Sequence, residues 1–495
     1  MPHCSSLVWL TLVSQVLLVS AQSLVPSSSW RKPNITISKQ DRVSIAASAL
    51  DLAIVSLGPD LTYLNTESPD AGLRGTARLH MQLAAFDSAS NTTRYQYRVQ
   101  QFYSQRGDGT ANLSDPSAVG PAGLLYFLLY GYGACRAYMT YKNPAFLLTA
   151  ESVWSRLNNQ TVTDNLNCDT QHFAYNGGLI GTSTENGTLF RGYENGLYLI
   201  LSGLLSDITS NATYWSAAQS TEDFIQRNMY PHPGTVEPII ISNCSKRFKD
   251  ELLSTEDTAI VIQGLSIFES IQRKRGDSGS DDTAKQLRQA VSAATTRVGS
   301  WIQEDGVMKP SAGYTAHALG YTYEHTPDTE MKSYIQSFLS VQYNSILDQA
   351  RTPGGNEYGD WIGPPASFFD SSKQTSACQA LIAAISLPEQ SNVTNSTSDT
   401  PGKSRRFNVG AIAGGVVAGV VLLVVILAIV VMLIRRRKRR FEESGISRPF
   451  TAREPTSVQT STKGFGGSSG QPSNSTSEAH SNVSPPAYED LTGRM

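Results

Sequence analysis

From Val409 to Ile434 the chain carries no charged or polar side chain, and the run stops at Arg435-Arg436-Arg437-Lys438-Arg439-Arg440. As a helix rising about 1.5 Å per residue it reaches roughly 39 Å, more than a hydrocarbon core of about 30 Å requires. Its other flank carries only Lys403, Arg405 and Arg406. The denser basic cluster marks the cytosolic side, so the sequence predicts a single-pass, type I protein of the cell membrane with residues before the span outside. A lipid-anchor signal would end in its apolar tail, whereas this chain continues to Met495.

Three further features agree with that topology. Leu7–Val19 is a short apolar run and Val19-Ser20-Ala21 gives the small-residue pattern of a cleavage site, so residues 1–21 read as a signal peptide, although its positive start is missing. Nine glycosylation sequons, at Asn34, Asn91, Asn112, Asn159, Asn186, Asn211, Asn243, Asn392 and Asn395, all precede the span. Cys135, Cys168, Cys244 and Cys378 remain after cleavage, and on the oxidising side one or two disulfides are expected, with the pairing open. No Cys/His cluster suggests a metal and no motif suggests a cofactor. The net charge of −2 gives no reason to expect a nucleic-acid partner.

Residues 30–388 form one even block with no internal linker. Residues 389–408 are a Ser/Thr/Asn-rich stalk, 409–434 the span, and 435–495 a basic stop followed by a tail too poor in apolar residues to fold. The block reads as helix after helix. Val43, Ala46, Ala47, Leu50 and Ile54 recur at helical spacing in Asp41–Leu57, and Phe190, Tyr193, Leu197, Leu201, Leu204 and Leu205 do so in Leu189–Ile208. Further helices are expected over Leu73–Ser88, Ala122–Tyr141, Pro144–Leu157, Tyr214–Met229, Ser254–Gln272, Asp281–Gln303, Asp328–Ala350 and Gln374–Ile385; strand patterns are scarce. Neighbouring helices joined by Gly- and Asn-bearing loops suggest a toroid of helical hairpins. The uncharged, Gly- and Tyr-studded Val119–Ala134 would be one of its inner helices; it is too short and too rich in Gly and Tyr for a second span.

Three stretches resemble glycoside hydrolase family 76, the α-1,6-mannanase-like family of fungi and bacteria. The first runs from Tyr132-Gly133-Ala134-Cys135 through Asn143-Pro144 to Glu151-Ser152-Val153-Trp154. The second is Asn195-Gly196-Leu197-Tyr198 through Thr213-Tyr214-Trp215. The third is Tyr358-Gly359-Asp360-Trp361-Ile362-Gly363-Pro364 followed by Gln374-Thr375-Ser376-Ala377. With the stalk and anchor, the arrangement looks like a membrane-anchored fungal branch. The resemblance implies an all-α, (α/α)6 barrel with a cleft at one mouth and an α-mannoside polymer or glycan as the substrate class.

Family enzymes carry two adjacent aspartates, and those positions fall near Leu125 and Tyr126, while no acid lies between Pro116 and Cys135. Glycoside hydrolysis uses two carboxyl groups, so catalysis is in question. The remaining acid candidates are Glu256 and Asp257 at one helix start and the pair Asp281-Asp282 at another. Acids at helix starts more often serve capping and the helix dipole. For sugar contact the candidates are Trp361, Tyr358 and Asp360, with Trp301 and Tyr175 also near loop mouths; a packing role is the main alternative for Trp361.

In the span, Gly410, Gly414, Gly415 and Gly419 give small-residue spacings that allow a transmembrane-helix dimer. In the tail, Pro485-Pro486-Ala487-Tyr488 resembles the Pro-Pro-x-Tyr ligand of WW domains. A leading function and an alternative to it are therefore expected. One is an α-mannanase-like surface glycoprotein with lost or weak hydrolysis; the other is a non-catalytic wall sensor, adhesion or structural glycoprotein with an adaptor tail.

Overall fold

The computed structural model describes residues 24–63, 69–106, 120–163, 175–184, 187–242, 245–249, 252–297, 300–309 and 312–389. The segments expected to be a signal peptide and a span, the expected stalk from residue 390 on, the Pro-Pro-x-Tyr tail, Cys168, Cys244, Asn112, Asn186, Asn243, Asn392 and Asn395 lie outside them. Among the described residues no helix is long and apolar enough to cross a membrane.

Twelve α-helices are described: α1 (Lys39–Val55), α2 (Pro69–Ser90), α3 (Gln96–Arg106), α4 (Gly120–Tyr141), α5 (Pro144–Asn158), α6 (Gly192–Thr209), α7 (Ala212–Asn228), α8 (Thr255–Arg275), α9 (Ser280–Thr296), α10 (Gly313–His325), α11 (Thr329–Ser345) and α12 (Ser371–Ala383). Local chemistry starts several of them. Ser38, Asn143, Asn211, Ser254, Asp328 and Asp370 each accept a backbone N–H of the following first turn, and Pro144 opens α5, where its missing N–H costs nothing.

The even-numbered helices form a closed inner ring, α2–α4–α6–α8–α10–α12 and back to α2, with odd-numbered helices packed outside it. This is the expected (α/α)6 toroid. The inner helices can be uncharged along most of their length because every face is covered: almost all of α6 from Gly192 to Ser206 is buried. Glycines set the ring's radius. A Cβ on Gly196 of α6 would lie 2.8 Å from Ile260 Cγ2 of α8, and one on Gly264 of α8 2.8 Å from Leu199 of α6. Gly196→Ala is accordingly expected to destabilise the barrel by about 1–3 kcal/mol through overpacking. The check is the midpoint of denaturant unfolding.

Three elements depart from the sequence reading. α3 and α10 are helices it did not contain. A four-stranded antiparallel sheet also occurs, in order β1 (Thr182–Thr184), β2 (Gly187–Phe190), β3 (Ile239–Ser242), β4 (Ser245–Phe248). Its two hairpins pair Leu189 with Ile240 and bury Phe190, Ile239 and Ile241. They form the connections that enter α6 and α8.

The ring's ends meet through a buried arginine. Arg42 of α1 is fully buried; its guanidinium donates to the carbonyls of Ile37 (2.7 Å), Leu387 (2.6 Å) and Ile385 (3.5 Å). Gln374 of α12 adds a bond to the Ala49 carbonyl at 2.9 Å. The expected disulfides are corrected in part: Cys135 and Cys378 are fully buried free thiols, packed as small apolar groups in inner helices. Asn34, Asn91, Asn159 and Asn211 are all exposed, as glycan attachment requires.

Candidate functional site

The six inner helices run in the same direction, so one mouth of the barrel collects their first turns. There a cavity of about 530 Å³ opens, lined by Arg74 and Arg78 of α2, Leu125 and Leu129 of α4, and Tyr193, Glu256 and Tyr314 from the starts of α6, α8 and α10. Phe368, Phe369 and Asp370 close its edge ahead of α12. Arg74 and Arg78 share one helix face because they are four residues apart. The last turns converge at the other mouth on a smaller cavity of about 190 Å³ that includes Arg136, His317 and Glu324.

Aromatic faces hold the cavity's cation. The Arg78 guanidinium lies over the Tyr314 ring at 5.2 Å, and Tyr314 meets Tyr193 edge-on, 5.1 Å apart at 87°. Among the described residues Arg78 makes no hydrogen bond or ion pair to protein. Glu256 is similar: its carboxyl is open to the cavity and has no hydrogen bond or ion pair there. Desolvation raises its pKa, against the pull of Arg78 and Arg74. The site thus offers a planar set of donors stacked on Tyr314 and one acceptor, neither taken up by a hydrogen bond among the described residues.

The other acids are placed differently. Asp370 is spent as the N-cap of α12, its Oδ1 accepting from Ser372 N at 2.8 Å and Lys373 N at 3.0 Å. Asp257 is buried behind the wall, where its Oδ1 accepts from Tyr193 N at 2.7 Å and its Oδ2 from Ser254 Oγ at 2.6 Å. Burial pushes its pKa up to about 6. Glu194, also buried, is pushed up to about 7 by desolvation and by Asp257, and its Oε2 has no hydrogen-bond partner. Asp281 and Asp282 are exposed in the first turn of α9, away from either cavity; Gly279, not an aspartate, is the cap residue there.

The aromatic expectations are corrected by burial. Trp361, Tyr358 and Tyr175 are 0–1% exposed and Trp301 7%, so none has a ring face to offer a sugar. Trp361 instead packs beneath the loop before α12, with its carbonyl accepting from Ser345 Oγ at 2.6 Å. Asp360 pairs on the surface with Lys373 at 2.9 Å. The sequence reading missed Arg74, Arg78, Tyr314 and Phe368. The available signal was a pair of arginines, four residues apart, at the start of a helix that turns apolar beyond them.

No protein-family model and no curated protein matches the chain. Solved structures do. The α-1,6-mannanase of Salegentibacter sp. is 14% identical, with 70% of this chain and 100% of that one covered at a TM-score of 0.59. An inactive variant of it, with two consecutive aspartates replaced by alanine, forms a complex with α-1,6-mannotetrose at the same similarity. The Lin0763 protein of Listeria innocua is 16% identical (70% and 97% covered, TM-score 0.54), and the family 76 α-mannanase BT2949 of Bacteroides thetaiotaomicron 13% (70% and 96%, TM-score 0.53). At this identity the likeness is one of fold, and the described residues between 24 and 389 adopt the helical barrel of the glycoside hydrolase family 76 structures.

Proposed function

We propose that this barrel recognises α-mannosides of wall polymers or glycoproteins at the cell surface without hydrolysing them. One observation carries the reading: α4 presents Leu125 and Leu129 to the cavity, and among the described residues of its lining Glu256 is the one carboxyl that makes no hydrogen bond. Both routes of glycoside hydrolysis by a carboxyl pair need a second one. Support for recognition comes from the mannanase of the same fold, which still holds α-1,6-mannotetrose after two consecutive aspartates are removed. Val409–Ile434 would tether the module, and Pro485-Pro486-Ala487-Tyr488 would present a WW-domain ligand on the other side. That layout suits a wall sensor or adhesion protein.

The test uses the full-length protein in lipid nanodiscs. Calorimetry is expected to show binding of α-1,6-mannotetraose, while reducing ends are not released from α-1,6-mannan. Release that Glu256→Gln abolishes would restore the enzyme.

A further inference from the structure

Phe368 is 71% exposed at the edge of the cavity, where burying it would be expected to stabilise the fold. A single exposed apolar side chain is ordinary on a protein surface; its surroundings distinguish this one. The backbone on either side of it is fixed. Phe369 packs on Tyr63, with ring centroids 6.2 Å apart, and Asp370 caps α12. Asp360 ties the start of the same loop to Lys373. The phenyl ring is therefore held on a pinned loop, beside the cavity in which Arg78 and Glu256 make no hydrogen bond or ion pair among the described residues.

Resting on the mannoside-recognition reading, we infer that Phe368 is the stacking platform of a neutral-hexose subsite whose hydroxyls are read by Arg78 and Glu256. Each partner answers one part of a pyranose. The C–H face of the sugar ring is apolar and lies flat on an aromatic face, which hides both from water. Adjacent hydroxyls each donate and accept, so one accepts from the Arg78 fork while the other donates to the Glu256 carboxyl. Uncommitted groups suit this role, since no protein bond has to break when the sugar arrives. Formal charges at the lining also fit a neutral ligand: Arg74 and Arg78 are balanced by Glu256 and Asp370.

Binding of α-1,6-mannotetraose to full-length protein in nanodiscs tests this. Phe368→Ala should weaken affinity roughly tenfold and leave the melting temperature unchanged, because the ring contributes little burial. Phe368→Trp should restore binding. Affinity should change little between about 50 and 500 mM salt, because an uncharged ligand has no charge to screen. If the wild type binds and Phe368→Ala binds equally well, the platform is overturned while mannoside recognition stands. A steep loss of affinity with salt overturns the neutral-ligand assignment. If the wild type binds no mannoside, the recognition reading fails and this inference falls with it.

Discussion

Arg42→Ala should lower the unfolding free energy of the barrel by about 3–5 kcal/mol, the sum of two short charge-assisted bonds and the acceptors they leave behind. The guanidinium spans three carbonyls from the two ends of the block: Ile37 ahead of α1, and Ile385 and Leu387 beyond α12. Desolvating a cation offsets part of its worth in the wild type, so the loss arises chiefly from buried carbonyls left without donors. Two further variants separate the contributions. Arg42→Met keeps much of the volume and should recover only the packing part. Arg42→Lys supplies a point charge that cannot match the planar fork and should fall between wild type and alanine. Denaturant midpoints measure all three; equal stability of Arg42→Met and wild type would show that the carbonyls find water.

The second large effect concerns pH. Glu194 is pushed up to about 7, Glu222 to about 7 and Asp257 to about 6, each chiefly by burial. The unfolded chain gives up these protons near the ordinary carboxylate values of about 4, well before the folded protein does. The stability tied to their neutral forms is therefore complete below about pH 4 and is lost as pH rises toward 7. Glu194 alone accounts for about 3 kcal/mol across that window. Its coupling to Asp257 forbids simple addition of the two. The protein should therefore unfold at lower denaturant concentration at pH 8 than at pH 5. Glu194→Gln, uncharged at every pH, should flatten that dependence and raise stability at pH 8. A wild-type midpoint that climbs from pH 5 to pH 8 would count against the assignment.

How far the sequence carried these conclusions varied from element to element. Helices with an apolar stripe and a cap, such as α5 behind Asn143-Pro144, could be read directly. α10, Gly-Tyr-Thr-Ala-His-Ala-Leu-Gly-Tyr-Thr-Tyr-Glu-His, was not, because an inner helix covered on all sides has no polar face to set a period. β1–β4 are three or four residues long, too short for alternation to register. The apolar character of α4 at Leu125 was visible in the chain, and Leu125 does line the cavity. Within one loop Trp361 is buried, whereas Phe368, seven residues on, is exposed at the cavity edge. Only the packed structure shows which aromatic is swallowed by the turn and which is left outside. Arg78 was missed for a related reason: facing the axis is a property of the closed ring, not of α2.

The clasp of Arg42 on Ile385 and Leu387 also fixes when the barrel can be finished. Its partners are 343 and 345 positions apart along the chain. On a ribosome emitting the N-terminus first, α2 can meet α4, and α6 can meet α8, as they emerge. The seam between α12 and α1 has to wait for nearly the whole block. Until then the first helix stays uncovered, with a buried-type cation and an apolar face open to whatever is nearby. Long-range closure of this kind slows folding and prolongs exposure to chaperones and to other nascent chains. A fragment ending before α12 would carry every residue of the cavity wall from α2 to α10 and still be an open ring.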